Sequence, residues 1–317
     1  MKASLFFLPL ALLASCATPP SSPAVLDAPL VDYHQHLVSP AFAPIAKLPE
    51  RDGARLLAEL DSAGVRQAVV LSVGYSFADE RKRLEQPDRL TQEENDWTSQ
   101  QVAASNGRLI GFCSANPLRE AALAELERCL ALPGMRGIKL HFGNAGVSLR
   151  NPAQAARIAD IFALGNRLRA PILSHLRARG GADFGAPDAQ LFLDLLMPRA
   201  PDIDIVVAHL GASSPGYSDQ NDAVMGVFAG AAERGDPRMR RIYFDVAANI
   251  TNEATAADGA IVARRIRQIG ATKFLYGSDL TPPGGSIRSG WDIFRSKIPL
   301  TEAEVQAIAA NHLSFMR

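Results

Sequence analysis

Leu30-Val31-Asp32-Tyr33-His34-Gln35-His36 reads as a short apolar strand that ends in two histidines. Seven further β-like runs follow it, at 68–73, 109–114, 137–142, 171–176, 203–209, 242–246 and 274–279. Helix-like segments lie between them. One covers 54–60 and stops at Gly64, one covers 121–132 before Pro133-Gly134, one runs from Asn151-Pro152 to 168, and one covers 258–270. Near-continuous apolar strands, polar caps before helices and Gly after them fit βα units on a parallel sheet. Eight such units predict an α/β chain folded as a closed (β/α)₈ TIM barrel over 30–317. A doubly wound open sheet is the alternative, but no Gly-x-Gly-x-x-Gly or Walker-type loop follows the first strand. The loops at 74–91, 211–220 and 281–286 would cover the C-terminal mouth, where sites form in such barrels.

The chain has 317 residues, 47% hydrophobic and 21% charged, with 33 basic and 33 acidic side chains. That composition excludes a disordered or collagenous chain. The zero net charge gives no electrostatic case for a nucleic-acid partner. The expected partner is a small-molecule substrate, with the membrane met only through a lipid anchor and a homo-oligomer left open.

Met1-Lys2 precedes the apolar run 5–13, too short to span a bilayer. Leu13-Ala14-Ser15-Cys16 resembles a bacterial lipobox. The resemblance implies a signal peptide at 1–15, cleavage before Cys16 and lipidation of Cys16; an ordinary secretory leader is the alternative. Ala17 rather than Asp after the Cys points to the outer membrane, facing the periplasm. Residues 16–29, rich in Pro and Ser, read as a tether. Cys113 and Cys129 read as two buried thiols, with a disulfide open to them in an oxidising compartment.

Of the six histidines, His34, His36, His141, His175 and His209 fall at the C-terminal ends of predicted strands. His34 and His36 share a strand face about 7 Å apart. Asp279 ends the eighth run, which neighbours the first in a closed barrel. Three His and one carboxylate with an open position suit Zn²⁺ or a similar divalent ion. Taken singly, each of these residues reads as a satisfied core His or a loop cap.

These residues give the chain a likeness to the amidohydrolase superfamily, specifically its amidohydrolase 2 branch. The similar pieces are Asp32-Tyr33-His34-Gln35-His36, Gly137-Ile138-Lys139-Leu140-His141, Leu173-Ser174-His175, Ala208-His209-Leu210-Gly211 and Tyr276-Gly277-Ser278-Asp279, with 95–111 and the tail Ile308-Ala309-Ala310-Asn311-His312. The resemblance implies a divalent metal held by His34, His36, His175 and Asp279, with His209 beside the water or substrate. The branch holds hydrolases, lactonases, decarboxylases and hydratases, so membership leaves the reaction open.

Asp279 is the expected general base, with His209 supporting the water or the oxyanion. Lys139 has three readings: a carboxylated bridge to a second metal shared with His209, a cation for a substrate carboxylate beside one metal, or a structural Lys paired with an acid. His141 and Arg177 are candidate substrate contacts at the rim. The expectation is a metal-dependent hydrolase of a small amide, lactone or ester, Zn²⁺ being the first choice of metal, as one ion or two. A decarboxylase or hydratase of the same fold and a non-catalytic metal- or ligand-binding lipoprotein are the alternatives.

Overall fold

The computed structural model describes residues 25–178, 181–212, 214–280 and 285–317. The predicted signal peptide, Cys16 and most of the tether lie outside them. Eight strands, β1 Val31–Gln35, β2 Gln67–Leu71, β3 Leu109–Ser114, β4 Met135–His141, β5 Ile172–His175, β6 Ile205–Val207, β7 Ile242–Asp245 and β8 Phe274–Leu275, pair in sequence order. Every pairing is parallel. The circuit closes where the Tyr33 N–H donates to Tyr276 O at 2.8 Å and the Asp279 N–H donates to His34 O at 2.9 Å. The fold is the expected (β/α)₈ TIM barrel.

Helices α1 Gly53–Ala63, α2 Pro87–Ala103, α3 Ala122–Leu130, α4 Pro152–Leu168, α5 Ala186–Leu191, α6 Asp219–Glu233, α7 Ala256–Ile269 and α8 Ile287–Lys297 follow the strands in turn, and α9 Glu302–Ala309 ends the ring. Their starts are written locally. Asp52 caps α1 through the Arg55 N–H, and Asn151 caps α4 ahead of Pro152. Both satisfy donors that a helix start leaves open. Among the described residues, no helix is long and apolar enough to cross a membrane.

Two cores result. One lies between strands and helices; the other fills the barrel with Val31, Tyr33, Val69, Leu71, Ile110 and Phe112 and is closed below by Leu313 and Met316. β1 serves both the barrel core and the mouth because it is bulged. Asp32 pairs with Ala68 but Gln35 with Val70, so three steps on β1 match two on β2. A bulge resets the side-chain alternation. Val31 and Tyr33 thus enter the core, and His34 and His36, of the opposite parity, still reach the mouth.

Three expectations need correction. The eighth strand is only Phe274–Leu275, and Asp279 lies beyond it at φ 49°. Between them the chain presses on β1 at Gly277, where a Cβ would stand 2.7 Å from His34 Cβ. The sixth strand ends at Val207, and His209 and Leu210 turn away at φ 55° and 47°. Such left-handed conformations are uncommon outside glycine. Cys113 and Cys129 are joined as a disulfide rather than kept as thiols, with Cα atoms 5.9 Å apart. It ties β3 to α3, both cysteines being fully buried between strand and helix.

Candidate metal centre

The C-terminal ends of the strands bring the expected side chains together. His34 Nε2 and His36 Nε2 lie 3.9 Å and 3.8 Å from Asp279 Oδ1. Among the described residues these three donors fall within 4.8 Å of one another, as do donors of His34, His209 and Asp245. The Nδ1–H of His36 donates to Leu71 O at 2.8 Å. That of His34 donates to Asp245 Oδ2 at 2.8 Å, and that of His209 to Ala247 O at 2.9 Å. An acceptor on Nδ1 leaves Nε2 with its lone pair, the form in which imidazole binds a metal.

His175 is held differently. The Asn144 N–H donates to His141 Nδ1 at 3.2 Å, so His141 carries its proton on Nε2 and donates to His175 Nδ1 at 2.9 Å. The His175 ring stands beside His209, centroids 4.9 Å apart, outside the three-donor group. Lys139, 1% exposed, donates from Nζ to His34 Nε2 at 3.4 Å. Arg177 gives its Nε–H to Gln220 Oε1 at 3.0 Å. The loop after β2, read as a polar cover, instead buries Tyr75 against His141 with centroids 5.0 Å apart.

Burial dominates the electrostatics. It pushes all five imidazoles below their usual range, His36 to about 3, and the Lys139 charge adds to the shift. Burial also pushes the Asp279 carboxyl up and the Lys139 ammonium down, while the charge on each partly restores the other. The imidazoles are therefore neutral, which a metal ligand requires.

Sequence reasoning missed two residues. Asp245 ends β7 fully buried and accepts from His34, from the His209 N–H at 2.8 Å and from the Ala247 N–H at 3.1 Å. Its signal was that of Asp279, a carboxylate closing an apolar run. Arg51, 1% exposed, donates to Gln35 Oε1 at 2.8 Å and His36 O at 2.7 Å, and pairs with Glu59. Nothing in its sequence surroundings separates it from a surface arginine.

Ringed parallel strands that present imidazoles and carboxylates at one mouth make the plan of a metal-dependent barrel enzyme. A family model described as Amidohydrolase matches residues 31–311, and the chain belongs to that family. It is thus an enzyme of the amidohydrolase superfamily, which sets aside the non-catalytic reading. The family and the His/Asp group support a divalent metal without selecting which one.

Solved structures share the fold. 2,6-Dihydroxybenzoate decarboxylase from Rhizobium is 17% identical with a TM-score of 0.59, covering 89% of this chain and 96% of that one. 5-Carboxyvanillate decarboxylase from Novosphingobium aromaticivorans, complexed with manganese, is 14% identical with a TM-score of 0.58, covering 90% and 94%. An amidohydrolase from Burkholderia multivorans with bound zinc is 12% identical with a TM-score of 0.54, covering 89% and 96%. No curated protein matches the sequence.

Proposed function

We propose that this enzyme is a metal-dependent hydrolase that cleaves a small amide, lactone or ester. The observation that carries the reading is Asp279: its Oδ1 faces the Nε2 atoms of His34 and His36 from a position that keeps 21% of the side chain open to the mouth. Three donors this close, two of them imidazoles with Nδ1 already engaged, fit one divalent ion. His34, His36 and Asp279 would hold it; His175, the fourth ligand that the resemblance implies, has its Nδ1 taken by His141 and stands outside these three. An ion held there would supply a lowered pKa to a bound water and polarisation to a carbonyl.

The protein's own groups divide the proton work. Asp279 takes the proton of the attacking water and returns it to the leaving nitrogen or oxygen as the acyl bond breaks. His209 keeps its proton on Nδ1, toward Ala247 O. Its Nε2 is therefore an acceptor, which suits the water rather than the oxyanion. Lys139 supplies the buried positive charge for a substrate carboxylate or a developing oxyanion. We take the one-ion reading, in which Lys139 keeps its amine free.

The leader read at 1–15 supports a cell-envelope protein anchored through Cys16, and the Cys113–Cys129 disulfide fits the oxidising compartment that this implies. A secreted location favours hydrolysis. The fold likeness to two decarboxylases favours the second reading, non-oxidative decarboxylation of an aromatic acid. A turnover screen of the metal-loaded enzyme over lactones, N-acyl amides and esters decides between them. Hydrolysis is expected; CO₂ release from hydroxybenzoic acids with no hydrolysis would replace it by the second reading.

A further inference from the structure

Asp245 lies on the far side of His34 from Asp279, fully buried at the end of β7. Its Oδ2 accepts the His34 Nδ1–H at 2.8 Å. Its Oδ1 accepts two backbone donors, the N–H of His209 at 2.8 Å and of Ala247 at 3.1 Å. Beyond His34, Lys139 Nζ donates to Nε2 at 3.4 Å. His34 is thus flanked by an acceptor at one ring nitrogen and a donor at the other, which specifies a single tautomer, Nδ1–H with a lone pair on Nε2.

We infer that Asp245 is a positioning residue that fixes the metal-binding tautomer of His34 and, through the same carboxylate, the turn that carries His209. The inference rests on the mouth being the metal centre. The second half follows from the backbone: His209 stands at φ 55° and Ala248 at φ 50°, conformations that persist only where surrounding bonds hold them. The Asp245 carboxylate accepts from the His209 amide and from the Ala247 amide next to Ala248, so it braces both turns. A carboxylate behind a metal-binding imidazole also makes the ring a better ligand, an effect whose loss lowers metal affinity by about 10- to 100-fold.

The isosteric variant makes a sharp test because an amide has one acceptor atom where a carboxylate has two. In Asp245→Asn the amide oxygen stays with the His209 and Ala247 donors, since rotating it away would set an NH₂ group against two N–H groups. The NH₂ then faces His34 Nδ1 and demands a lone pair there. His34 is driven to the Nε2–H tautomer, which opposes Lys139 and cannot bind a metal through Nε2.

The experiment has two readouts on the full chain. In metal-free protein, imidazole ¹⁵N resonances report the His34 tautomer, assigned by comparison with His34→Gln. Wild type is expected to show Nδ1–H, and Asp245→Asn to show Nε2–H. Co²⁺ affinity, with the visible Co²⁺ absorption as its signature, is expected to fall by about 10- to 100-fold in Asp245→Asn. A folded Asp245→Asn with the wild-type tautomer and affinity would overturn the inference. So would Nε2–H in wild type, a readout that stands even where the variant does not fold. A wild type that shows Nδ1–H but binds no Co²⁺ would overturn the metal centre and leave the Asp245–His34 link standing.

Discussion

At the floor of the barrel, Leu313 and Met316 close over Val31, Ile110 and Phe112, and one histidine, His312, pairs with Gln67 at 2.7 Å. At the mouth, the upper ends of the same strands and the turns after them supply five histidines, Lys139, Asp245 and Asp279. Both ends are largely shielded from water, with Asp279 and His36 partly open at the mouth. The floor gains stability from apolar burial. The mouth pays desolvation on every ionisable group, and burial moves each one toward its neutral form. A cluster that opposes folding in this way is explained by the ligand chemistry it permits, not by packing.

The contrast can be broken by substitution at either end. Asp279→Asn should lower turnover by about 10²- to 10⁴-fold with little change in melting temperature; kinetics and thermal melts on one preparation would check it. Phe112→Ala should do the reverse. Phe112 is fully buried against Phe315 and the face of Gly137. Its loss should cost about 3–5 kcal/mol in denaturant unfolding while metal content per folded chain is kept.

Glu94 sharpens the comparison, being a buried carboxyl with no imidazole partner among the described residues. It is 3% exposed and takes the Ser39 hydroxyl at 2.5 Å. Burial pushes its carboxyl from 4.5 to about 7 against the Ser39 bond. The folded chain then holds a proton that the unfolded chain has released, so stability falls as pH rises from about 4.5 to about 7. Glu94→Gln should remove that slope, gaining up to about 3 kcal/mol at pH 8 and nothing at pH 4, as read from urea midpoints. His312→Gln should change least, by under about 1 kcal/mol, with metal content unaltered.

How far the sequence could be read follows from the same two ends. The floor and the ring were legible because apolar runs and helix caps repeat at fixed intervals, and Asn151-Pro152 starts α4 where it was expected to. His34, His36 and Asp279 were legible because ionisable groups ending apolar runs are conspicuous. The β1 bulge was not, although it left a trace: Val31 and Tyr33 have one parity and His34 and His36 the other, which a regular strand could not turn to one interior. Asp245 escaped notice because its role depends on His34 across 211 positions of sequence. The Cys113–Cys129 link depended on how α3 sits on β3, which no local pattern records.

The central claim is that His34, His36 and Asp279 hold a divalent ion at the mouth. Elemental analysis of wild type, His36→Ala and Asp279→Ala, each purified as folded monomer or oligomer from metal-supplemented medium, tests it most directly. The account predicts about one equivalent of divalent metal per wild-type chain and under about a tenth of that in either variant. A full equivalent retained by both variants, or none in wild type, would contradict it.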